Sequence, residues 1–92
     1  MNIDITARNF TISENLRDFV KNKSSKLLTY DKNIDTIKVI FLKESRAEKV
    51  ELLVNSKTNQ YITKCYSSVF EKTFLKAIDN IIIQIKKAKI KY

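Results

Sequence analysis

The sequence predicts an α+β fold of order β-α-β-β-β-α, a four-stranded mixed sheet with two helices packed on one face. Three observations carry this reading. Two stretches, one towards each end of the chain, repeat apolar residues at steps of three and four, the period of a helix with one buried side. Four shorter stretches alternate apolar and polar residues, the period of a strand. The third is size: 92 residues, 43% of them hydrophobic, make one domain spanning 1–92 with a modest core. In such a domain one sheet face can receive both helical stripes.

The first element is a strand over residues 2 to 7, with Ile3 and Ile5 on one side. Asn9 to Ser13 forms the following turn. Ser13 is placed to cap a helix, its hydroxyl accepting from a free amide of the first turn, and Glu14 suits the positive helix N-terminus. That helix is expected from Glu14 to Tyr30, with Leu16, Phe19, Val20, Leu27 and Tyr30 as its inner stripe. Lys23 falls within the stripe. Its stem can bury while the ammonium passes the helix edge, which is compatible with a contact to RNA.

After a turn at Asp31 to Asn33, residues 34 to 43 read as a central strand. Ile37, Val39 and Phe41 face one way and Lys38, Ile40 and Leu42 the other, so both faces are partly apolar. The charged run Lys43 to Glu48 makes a hairpin connection to a third strand over residues 49 to 55, where Val50, Leu52 and Val54 alternate with Lys49, Glu51 and Leu53. A polar loop, Asn55 to Asn59, leads to a fourth strand from Gln60 to Tyr66, with Tyr61, Thr63 and Cys65 opposite Ile62, Lys64 and Tyr66. Ser67 and Ser68 stop it, and Ser68-Val69-Phe70-Glu71 fits a capping box. The single helix between the first two strands implies that they run parallel if adjacent, and the later pairs are antiparallel hairpins.

The last helix is expected from Val69 to Tyr92. Phe70, Phe74, Ala77, Ile78, Ile81, Ile85 and Ala88 form its apolar face. Lys72, Lys76, Lys86 and Lys87 lie opposite, Lys89 and Lys91 at the edges, and no acidic residue follows Asp79. Ile83 and Ile90 project towards the polar side.

Charge and composition narrow the function. Eighteen Lys and Arg against ten Asp and Glu give a net charge of +8, which favours polyanionic partners, nucleic acid and anionic membrane surfaces first. Part of this excess accompanies a general richness in Lys, Ile and Asn, so the placing of charge on defined faces says more than the total. With no His and the lone Cys65, intramolecular disulfides are impossible, and zinc sites and His-based acid or base catalysis are nearly excluded. Cys65 reads as a small buried hydrophobe. The absence of Gly removes every glycine-rich phosphate loop, so any phosphate contact has to come from side chains and helix ends. No apolar run reaches the ~20 residues of a membrane span, and the N-terminus does not resemble a signal peptide, which points to a cytoplasmic protein. The ten acids show no paired motif, so an enzyme is not expected, nor any cofactor or metal.

Ile3-Asp4-Ile5-Thr6-Ala7-Arg8-Asn9, then Ile12-Ser13-Glu14-Asn15-Leu16-Arg17-Asp18-Phe19-Val20, and Lys23, Lys26-Leu27 and Tyr30 together resemble the opening of the ribosome hibernation-promoting factors, a match of about thirty residues without a gap. Ala77-Ile78-Asp79 with Ile81 and Ile85 resembles that family's last helix, and β-α-β-β-β-α is its fold. Ala7 stands where the family has glycine, Thr73-Phe74-Leu75 where it has Asp-Met-Tyr, and Gln84 where a lysine is common; the segment after Asn55 is several residues longer than typical. The resemblance implies binding to the small ribosomal subunit and its rRNA in the channel for messenger and transfer RNA, silencing translation in stress or stationary phase. Because the chain stops at Tyr92 it resembles the short form, which cooperates with a separate ribosome modulation factor, and it is expected to be a monomer off the ribosome.

Lys23, Lys26, Lys86, Lys87 and Lys91, with Arg8 and Arg17, are the expected rRNA contacts. Lysines are non-directional charges suited to shape-guided phosphate contact. Two other readings compete. A general double-stranded-RNA-binding module also carries two helices on a small antiparallel sheet, although the added first strand argues against it. A membrane-surface protein would use the basic helix, but the sheet claims its apolar stripe, so no membrane partner is expected.

Overall fold

The computed structural model describes residues 2–89; Ile90, Lys91 and Tyr92, expected in the last helix, lie outside the described residues. Its elements run β1 (Asn2–Arg8), α1 (Glu14–Ser25), a 3-10 turn (Lys26–Thr29), β2 (Ile34–Lys43), β3 (Glu48–Ser56), β4 (Gln60–Ser67) and α2 (Phe70–Lys89). The sheet order is β1-β2-β3-β4, with β1 parallel to β2 and the other neighbours antiparallel. This is the expected mixed sheet with both helices on one face.

Strand alternation divides the sheet into two unlike surfaces. Residues such as Ile37, Val39 and Phe41 of β2, Val50, Leu52 and Val54 of β3, and Tyr61 and Cys65 of β4 point inward and are buried. Against them pack Leu16, Val20 and Leu27 from the first helical segment and Phe70, Phe74, Ala77, Ile78, Ile81 and Ile85 from α2, forming one core. Near the start of β2 the register shifts between Ile34 and Thr36. Strict alternation would put Ile34 on the outer face; the irregularity turns it inward, where it is buried.

Two local expectations need correction. The first helix does not continue to Tyr30. The Ser25 hydroxyl donates to the carbonyl of Lys21, a local bond that competes with regular helix geometry, and the chain tightens into the 3-10 turn. In that turn residues three apart eclipse, so Leu27 is buried and Tyr30, half-buried, lies on the same side above it. Ser24, which the apolar stripe does not include, is fully buried instead. Secondly, the capping box of Ser68 and Glu71 does not form. The hydroxyl of Ser67 accepts from the Val69 amide and donates to the Val69 carbonyl, and it also bonds the Thr73 hydroxyl. Ala7, where the family has glycine, sits in β1 with ordinary extended geometry, and the one residue with positive φ among those described is Asn9, at 69°. Asn tolerates that left-handed region, and its amide donates to the Lys43 carbonyl at 3.3 Å, tying the turn to the end of β2. The Ser13 cap forms as expected, accepting from the Leu16 amide at 3.1 Å.

Candidate nucleic-acid interface

The two helices meet where Phe19 of α1 packs edge-on against Phe74 of α2, ring centres 6.3 Å apart. One helical turn further along α1, the Lys23 ammonium lies 5.7 Å from the centre of the Phe19 ring, so the aromatic face carries the lysine stem past the helix edge. The charge of nearby Lys26 repels the Lys23 proton and lowers the Lys23 pKa below the usual lysine value. On the facing side of the seam, Lys86 of α2 places its ammonium 5.7 Å from the centre of the Tyr30 ring, and Lys89 donates to the Tyr30 carbonyl. Two aromatic rings thus carry Lys23 and Lys86, with Lys26 beside Lys23 and Lys89 on the Tyr30 carbonyl completing a row of four lysines along the seam.

Among the described residues this row has no carboxylate partner. Both ion pairs among the described residues involve Glu51 on the sheet, with Lys49 at 3.5 Å and Lys64 at 3.9 Å, and neither reaches a helix. Ammonium groups left to water keep their attraction for an incoming anion, because no protein carboxylate has to be displaced first.

The remaining expected residues do not join the row. Consecutive residues on an α-helix are about 100° apart, and Lys87 lies on the other flank of α2 from Lys86, lining a shallow groove with Asn59, Tyr61, Gln84 and Ala88. Arg17 is exposed about 200° around α1 from Phe19, on the flank away from α2. Arg8 pairs with Leu42 on the outer face of the sheet, opposite the helices. Lys91 lies outside the described residues.

Among the described residues no group of His, Cys, Asp or Glu could hold a metal ion, and no helix is long and apolar enough to cross a membrane. A family model described as Sigma 54 modulation protein / S30EA ribosomal protein matches residues 3–92.

The chain belongs to this family.

Two solved structures share the fold of this Sigma 54 modulation protein / S30EA ribosomal protein family member. A ribosomal subunit interface protein from Coxiella burnetii superposes with a TM-score of 0.91 at 23% identity, covering 99% of this chain and 100% of that one. The N-terminal domain of Thermus thermophilus Protein Y superposes with a TM-score of 0.86 at 22% identity, covering 96% of this chain and 99% of that one. No curated protein sequence matches the chain. The family, described as S30EA ribosomal protein, points to a ribosome-associated protein.

In this family member the sequence reading missed two features of the helical face. Lys89, at an edge of the last helix, is not among the expected contacts; its i, i+3 spacing from Lys86 is the signal in the sequence. Asn80 and Gln84 form a polar pair that tacks α2 to the edge strand. The Asn80 amide lies 3.1 Å from the Thr63 hydroxyl and 3.4 Å from the Cys65 sulfur, and the Gln84 amide donates to the Ile62 carbonyl at 2.9 Å. Gln84, standing where a lysine is common, therefore has a structural task here. Cys65 is buried, in keeping with its reading as a small hydrophobe.

Proposed function

We propose that this chain is a hibernation factor, one ribosome-binding domain over residues 1–92, that occupies the channel for messenger and transfer RNA on the small ribosomal subunit and silences translation by steric block. The observation that supports it best is the row of Lys23, Lys26, Lys86 and Lys89 along the interhelical seam, propped on Phe19 and Tyr30 and free of carboxylates among the described ion pairs. A rigid row of this kind suits a concave RNA surface, where several phosphates are neutralised together and counterion release supplies much of the affinity. Arg17 and Lys87, on the outer flanks of the two helices, extend the same basic surface sideways. Inhibition in this reading requires occupation alone. The Coxiella burnetii neighbour, described as a ribosomal subunit interface protein, agrees with it.

The test is cosedimentation with purified small subunits across a salt series, run beside a cell-free translation assay. The expected result is saturable binding that weakens steeply with salt and tracks the loss of translation. Binding to isolated duplex RNA as tight as to small subunits would instead favour a general double-stranded-RNA module, and translation unaffected at saturating protein would rule out the block.

A further inference from the structure

The face of the sheet turned away from the helices carries features that the helical reading does not use. Across all four strands the register lines up Arg8, Leu42, Lys49 and Tyr66, and the adjacent row is Thr6, Ile40, Glu51 and Lys64. Tyr66 is 55% exposed, and the Lys49 ammonium sits 5.4 Å from the centre of its ring. The hydrogen bond to Tyr66 raises the Lys49 pKa above the usual lysine value, and the nearby Glu51 carboxylate adds to this. With neighbouring strands about 4.8 Å apart, a row spans about 14 Å of flat surface.

We propose that this outer face is a second RNA-binding surface, taking an unpaired stretch of RNA with Tyr66 as a base-stacking platform and Arg8, Lys49 and Lys64 as phosphate contacts. An exposed aromatic ring flanked by cations on an open sheet offers both halves of single-strand recognition, a π-face for the base and charge for the backbone. Charge complementarity selects this occupant. A second copy of the chain would bring a like-charged face against this one, since these rows carry Arg8, Lys49 and Lys64 against Glu51 alone. Glu51 is the built-in competitor: it holds Lys49 at 3.5 Å and Lys64 at 3.9 Å until phosphate replaces it. The residues differ from those of the interhelical seam, so this surface stands or falls separately from the small-subunit reading.

The experiment uses the full chain and a short unstructured oligouridylate carrying a fluorophore, with affinity read by anisotropy at low salt and the site mapped by amide chemical shifts. Tyr66→Ala should weaken binding about tenfold, while Tyr66→Phe retains it, because the ring and not the hydroxyl stacks. Glu51→Gln should tighten binding about threefold by releasing both lysines. Amides of β2, β3 and β4 around Leu42, Lys49 and Tyr66 should shift on titration. Wild-type affinity in Tyr66→Ala, or shifts confined to α1 and α2, would overturn the proposal. So would shifts of the same sheet amides on raising protein concentration without RNA, which would assign the face to a second copy.

Discussion

Lys86 and Tyr30 come from residues 56 positions apart in sequence, yet the ammonium of one rests 5.7 Å from the ring centre of the other. This contact carries a lysine of α2 across to the end of the first helical segment, and it is what joins two separately basic helices into one surface.

If the seam is the phosphate-binding surface, the combined variant Lys23→Ala, Lys26→Ala, Lys86→Ala should lose at least about tenfold in affinity for small subunits, since a hydrogen bond to a charged group contributes about 1.5–3 kcal/mol. Its salt dependence should flatten as well, by about 0.7–0.9 in logarithmic slope for each phosphate contact removed. Lys87→Ala, on the other flank of α2, should cost less than Lys86→Ala. Cosedimentation over a salt series checks both, and equal losses for the two single variants would break the assignment to the seam.

The repulsion between Lys23 and Lys26 gives an expectation about the free protein. The lowered Lys23 pKa means that the folded chain holds this proton less tightly than the unfolded chain, so at neutral pH the charged pair works against folding and the penalty is relieved as pH rises into the lysine range. Lys26→Gln should therefore raise Tm at low salt while weakening small-subunit binding, and the gain in Tm should vanish at high salt. A fall in Tm at low salt would show that Lys26 serves the fold and not a ligand.

Tyr61 and Asp31 form the buried polar contact at one end of the sheet. The Tyr61 hydroxyl donates to one Asp31 oxygen at 3.3 Å, and the other oxygen accepts from the Asn33 amide at 2.9 Å. Burial, reinforced by the Asp31 charge, raises the Tyr61 pKa above its ordinary value of 10.0. A raised folded pKa means stability that is fully present below the unfolded value and lost as pH rises through the folded one. Thermal unfolding above about pH 10 should thus show a loss of stability that Tyr61→Phe lacks, while at neutral pH that variant should be about 1 kcal/mol less stable. Identical alkaline profiles for the two proteins would contradict this.

Ser24 is fully buried, and its hydroxyl has no hydrogen-bond partner. Ser24→Ala removes an unsatisfied polar group in a helix and should stabilise the fold by about 1 kcal/mol, read from the urea midpoint at unchanged m-value. A midpoint at or below that of the parent would mean that the hydroxyl is satisfied in solution.

Much of the fold was legible because its signals are local. Val50, Leu52 and Val54 alternate within a few residues, and Ser13 before Glu14 marks a helix start through bonds that span a single turn. The break after Ser25 was not legible from apolar spacing, since Leu27 and Tyr30 fit the helical stripe whether the turn is α or 3-10. The capping box at Ser68 was not a safe reading because Ser67 and Ser68 are chemically equal in the sequence, and only the folded chain puts the Ser67 hydroxyl beside Val69 and Thr73. Of the candidate site, Lys23, Lys26 and Lys86 meet at the seam as a group, whereas Arg8 belongs to the opposite face of the sheet.

By itself the sequence determined the strand and helix order, the face of each element that is buried, the excess of positive charge and the likeness to a ribosome-associated family. The first three follow from periodicity or composition, which neighbouring residues define without reference to the rest of the chain, and the likeness follows from the matching residues between Ile3 and Tyr30. Only the tertiary structure decided which lysines share a surface. A basic residue on a helix flank is free to turn towards the other helix or away from it. That choice depends on which apolar side chains pack first: Phe19 against Phe74 sets the seam, Tyr30 brings Lys86 and Lys89 to it, and the same packing turns Arg17 and Lys87 outward.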